Sequence, residues 1–149
     1  YTIKQPTKKV WIIENGTVVA TSGQVGLGQR FTDIVTRLVT NGRCKGKNPL
    51  DVGREIAAEG RKDFSNTMVQ LGQCGALVGI QAKNGFCLFE FAQHDLQPEL
   101  KTPQNWFVSM GSGQQILDPF LGLIRKAFFL TCSQIWGKEF SLLFGHFRM

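Results

Sequence analysis

What this chain lacks narrows its chemistry before any motif is read. Its four cysteines (Cys44, Cys74, Cys87, Cys132) form no Cys-x-x-Cys, and neither His94 nor His146 stands at ligand spacing from one. A zinc centre is therefore not expected, no cofactor is indicated, and reduced thiols in a cytoplasmic protein are the plain expectation. No run of 18 or more apolar residues occurs, so no membrane span is expected. The opening "YTIKQPTKKV" has neither the apolar core of a signal peptide nor an initiator methionine, and a processed or truncated chain is the expectation. Acids are the scarcer charge, 11 against 17 basic residues, for a net charge of +6. The densest basic run, "GRCKGKNP" (Gly42 to Pro49), has no interleaved aromatic to stack a base, so it reads as a solvated loop and no nucleic-acid partner is expected.

What is present fits one domain: 149 residues, 42% hydrophobic, without repeats or low-complexity tracts. "KVWIIE" (Lys9 to Glu14) and Thr17 to Ser22 read as two strands joined by a tight turn at "ENG". From Gly28 the period changes. Phe31, Ile34, Val35, Leu38 and Val39 recur at helical spacing, and Asn41-Gly42 ends the run. Asn48-Pro49 resembles a cap followed by proline in the first turn, opening a helix over Leu50 to Leu71. Its expected buried face is Leu50, Ile56, Ala57, Phe64, Met68 and Val69, with Gly53 and Gly60 weakening it by about 1 kcal/mol each. "GALVGIQAKNGFCLFEF" (Gly75 to Phe91) is the clearest hairpin, with Asn84-Gly85 suited to a type I′ turn. A polar connector, a strand at Trp106 to Met110 and a helix from about Gln115 to Phe129 complete the order. Blocks of strands alternating with blocks of helices favour an antiparallel, layered α+β domain.

Three glycines in six residues, Gly23, Gly26 and Gly28, stand between a strand and a helix. A dinucleotide fingerprint would need a further glycine at position 31, which is Phe31, and no Gly-Lys-Ser/Thr follows for a P-loop. Two readings stay open: a corner with no chemistry, or a turn presenting a backbone N–H to a reacting carbonyl.

The stretch "KKVWIIENGTVVATSGQVGLGQRFTDIVTRLV" (Lys8 to Val39), followed by two helices, the "ALVGIQAKNGFCLFEF" hairpin and "SMGSGQQIL" (Ser109 to Leu117), resembles the proteasome core-particle subunits and their bacterial relatives. The likeness covers residues 1–129; residues 130–149, "LTCSQIWGKEFSLLFGHFRM" from Leu130, diverge as a tail without aspartate. The resemblance implies a single N-terminal-nucleophile hydrolase domain, a four-layer αββα sandwich of antiparallel sheets between helices. It implies a threonine-type peptidase acting on polypeptide, assembled as a homo-oligomeric ring. Lys9 matches the lysine beside the nucleophile, where a buried ammonium lowers neighbouring pKa values. Gly23 matches the glycine whose N–H faces the developing oxyanion. Ser112 matches the serine supporting the nucleophile's amine, and Thr21 a wall of the substrate side-chain pocket. Each also has a plain reading: Lys9 a surface lysine, Gly23 a corner, Ser112 a helix cap, Thr21 a β-branched strand residue. By this match the nucleophile and its companion acid are expected upstream of Tyr1. A non-catalytic ring subunit of the same fold and an unrelated α+β binding module are the alternative functions.

Overall fold

A computed structural model describes residues 8–68, 72–101, 108–111 and 114–124. Contacts divide the chain into Tyr1–Gly111 and Ser112–Met149. The first unit is α+β, built on a five-stranded antiparallel sheet in sequential order. Its strands are β1 (Val10–Ile12), β2 (Val18–Gly23), β3 (Cys74–Ala82), β4 (Gly85–Phe91) and β5 (Pro98–Lys101); α1 (Val25–Thr40) and α2 (Pro49–Asn66) lie between β2 and β3 in sequence. Only local hairpins and one two-helix excursion are needed to thread it.

Strand alternation decides which side of the sheet is covered. Along β3, Ala76, Val78, Ile80 and Ala82 are buried, and the register brings Val19 of β2 opposite Val78, with Phe89 of β4 beyond it. Onto this face α1 lays Phe31, Ile34, Val35 and Leu38, and α2 lays Val52, Ile56, Ala57 and Phe64, as one continuous core. The Phe31 and Phe91 rings meet at 5.4 Å between centroids, tilted by 60°. Each such side chain contributes about 1.5–3 kcal/mol on burial. The two α2 glycines that weaken helix propensity sit where the helix approaches the core closely, Gly53 over Phe89 and Pro98, Gly60 over Leu96 and Phe31.

Several sequence expectations need correction. Leu50 is 52% exposed because it lies about 200° around α2 from Val52, at 100° per residue, off the buried stripe. Met68 is 94% exposed because α2 stops at Asn66 and Met68 adopts a left-handed φ of 53°. Val69 lies outside the described residues. The β3–β4 loop residues are Lys83 and Asn84, since Ala82 pairs with Gly85, and neither has the positive φ of a type I′ turn; Gly85 carries φ +125° instead. β5 falls in the polar connector that follows the hairpin. It is an edge strand opened by proline, a position where a missing N–H is tolerated. Residues 108–110 are not strand, and Trp106 and Phe107 lie outside the described residues.

In the second unit, residues 114–124 form a helix, α3, that leaves Ile116, Phe120, Leu123 and Ile124 exposed. The remainder of the expected third helix and the 130–149 tail lie outside the described residues.

Candidate functional site

The end of β2 gathers the residues that the sequence singled out. Gly23 closes the strand with φ +90°, and a Cβ built there would stand 2.1 Å from the Gln73 carbonyl oxygen. Both facts demand glycine, one for the left-handed backbone and one for space. The Gln24 N–H donates to that same carbonyl at 3.0 Å, clamping the exit of β2 to the entry of β3.

Lys9 comes to this end through the hairpin. The Thr21 N–H donates to the Lys9 carbonyl at 2.9 Å, across the ladder and two residues short of Gly23. Ladder alternation directs the Gly23 N–H toward the same edge as the Thr21 N–H. The register partner there is position 7, outside the described residues. Lys9 itself is exposed, where a buried ammonium was expected.

Thr21 is 7% exposed and lies beneath the first turns of α1. A Cβ at Gly28 would come within 2.3 Å of the Thr21 hydroxyl oxygen, so the helix descends on β2 only because position 28 has no side chain. The Thr32 hydroxyl donates to the Gly28 carbonyl at 2.8 Å, fixing this turn of the helix.

The other side of the sheet at this end meets the beginning of "SMGSGQQIL". A Cβ at Gly75 would be 3.2 Å from the Ser22 Oγ and 3.8 Å from the Met110 methyl, and one at Gly111 would be 3.7 Å from the Ser22 Cβ. Gly111 takes φ +86°, another turn that glycine accommodates. Ser112 lies outside the described residues.

Cys74 also belongs to this end, a placement its spacing in the sequence does not reveal. Register pairs it with Gly23, and it is 3% exposed. Burial pushes its thiol up to about 11, while the positive charge of Lys9 pulls the other way. The signal that finds it is the β3 register, which cannot be read from spacing alone. Cys44, Cys74 and Cys87 are all free thiols. Among the described residues no group of three or more His, Cys, Asp or Glu side chains could hold a metal ion, and no helix is long and apolar enough to cross a membrane.

The arrangement therefore joins a cation, a glycine amide on the exposed rim and the Met110-Gly111 turn at one end of a sheet. Comparison with protein-family models and with curated proteins finds no match to this chain.

Proposed function

We propose that this chain is part of a proteasome-like, N-terminal-nucleophile peptidase subunit that hydrolyses peptide bonds. One observation carries the reading: Lys9, Gly23 and the segment ending at Gly111 converge on one end of the sheet, with both helices on a single face. The opposite face leaves Val10 at 55%, Ile12 at 80% and Phe86 at 60% exposure, as suits a sheet that receives a second sheet in an αββα sandwich.

In this reading the Gly23 N–H donates to the oxyanion of the tetrahedral intermediate, an interaction worth about 2.7–4 kcal/mol. The Lys9 ammonium favours the deprotonated nucleophile by its field. Ser112 supports the attacking group's amine, while Thr21, matched to a wall of the side-chain subsite, turns its side chain beneath α1 and serves that wall through its backbone. The nucleophile is not assigned to a residue of this chain. The substrate is polypeptide, the assembly is a homo-oligomeric ring, and the setting is the cytoplasm, compatible with the three free thiols among the described residues.

The test uses the natural protein, treated with a peptide epoxyketone that reacts with N-terminal threonine and followed by intact mass and tandem mass spectrometry. A single adduct that blocks hydrolysis of a fluorogenic peptide is expected. Lys9→Ala is expected to abolish turnover while leaving assembly unchanged. No adduct, or full turnover in Lys9→Ala, overturns the catalytic reading. The exposure of Lys9 favours a second reading, a non-catalytic subunit of the same ring, which predicts no adduct and intact ring assembly.

A further inference from the structure

The far end of β2 holds a cavity unrelated to the Gly23 rim. Six residue steps separate Thr17 from Gly23, about 20 Å at the rise of extended chain. The cavity is about 350 Å³, at the small end of the range for ligand pockets. Its floor is apolar, formed by Val39 at the end of α1 and by Ile80 and Ala82 of β3. Lys45 and Asn15 line it as well, and no carboxylate does.

Three features make this a built site. Thr17 lines the cavity and is 1% exposed, so its hydroxyl stands at the wall of the cavity. The loop carrying Lys45 is held on both sides: Cys44 is buried in the core, and the Lys83 N–H donates to the Lys47 carbonyl at 2.9 Å. Charge is also apportioned along the loop. Arg43 pairs with Glu55 and Glu59, and Lys47 pairs with Glu55 at 3.0 Å, whereas Lys45 has no ion pair among the described residues and faces the cavity instead.

The end of α1 would ordinarily bring carbonyl dipoles against an anion here. Those of Leu38 and Val39 are already taken by the N–H groups of Arg43 and Gly42, at 2.9 and 3.0 Å. We infer that this cavity binds a carboxylate carried on a small branched or aromatic apolar group. Lys45 pairs with the carboxylate, the Thr17 hydroxyl donates to it, and Val39, Ile80 and Ala82 cover the apolar body. A free organic acid and the C-terminal residue of a peptide present the same chemistry.

The test is titration of the full chain by amide NMR with isovalerate, Gly-Gly-Leu and Gly-Gly-Leu amide. Shifts confined to Thr17, Gly42, Gly46 and Gln81, with those of Gly23 and Cys74 unmoved, are expected from the two acids. Tighter binding of isovalerate assigns a free acid, and tighter binding of Gly-Gly-Leu assigns a peptide terminus. Lys45→Gln, on an exposed loop residue, is expected to weaken binding about tenfold, the loss of one hydrogen bond to a charged group. Thr17→Val, which keeps shape, is expected to weaken it about threefold. The inference is overturned if neither acid shifts these amides, if the amide binds as well as the acid, or if Lys45→Gln binds unchanged.

Discussion

The two faces of the sheet carry similar residue types and meet different fates. On one, Val19, Val78 and Phe89 are sealed beneath α1 and α2. On the other, Ile12, Val18 and Leu88 occupy the neighbouring register row, yet Ile12 is 80% exposed, and Val18 and Leu88 are only half-buried. Hydrophobicity alone therefore does not say which side is core. The helices decide it, because α1 and α2 each present one apolar stripe and both stripes land on the same side.

Polar groups on the open face are managed differently. The Lys101 ammonium lies between Glu90 and Glu99, at 2.6 and 2.8 Å. Burial opposes its charge, but the hydrogen bonds it donates to both carboxylates outweigh that and raise its pKa.

This contrast can be broken most severely from the covered side. Phe31→Ala is expected to cost about 3–5 kcal/mol, measured by urea denaturation, because it opens a cavity between α1, α2 and β4. Gly28→Val is expected to cost about 1–3 kcal/mol by overpacking Thr21. Combining it with Thr21→Ala is expected to recover part of that loss in a double-mutant cycle, since the two positions touch. On the open side, Ile12→Ser is expected to stay within about 0.5 kcal/mol in the same denaturation assay. Its effect belongs in sedimentation velocity, where self-association should fall.

A last expected effect is confined to alkaline pH. Because the Cys74 thiol is held up to about 11 when folded, the unfolded chain releases that proton first. Stability is therefore unaffected by this group below pH about 8.5 and declines as pH rises from there toward 11. Cys74→Ala should flatten that decline in alkaline melts.

Much of the covered half is legible in the sequence. The spacing of Phe31, Ile34, Val35 and Leu38 marks the buried side of α1, and the near-continuous apolar runs mark β3 and β4. β5 escapes because "PELK" has a single apolar residue facing the core, Leu100, too few to establish a period. The end of α2 escapes because Met68 and Val69 extend the apolar pattern past the point where the backbone turns left-handed. At the candidate site, glycine content and strand position pick out Gly23, but the clash with Gln73 that forbids any other residue is a tertiary fact. Cys74 and Met110 reach that end by register and loop path, neither of which spacing encodes.

The margins of the sheet are brief. β1 has three residues and β5 has four, and β5 begins with a proline that offers no N–H. Among the described residues, an incoming extended segment finds little free backbone at either rim to template a ladder. Fibril seeding through these borders is accordingly disfavoured, and concentrated solutions should lose protein to reversible clustering rather than to amyloid.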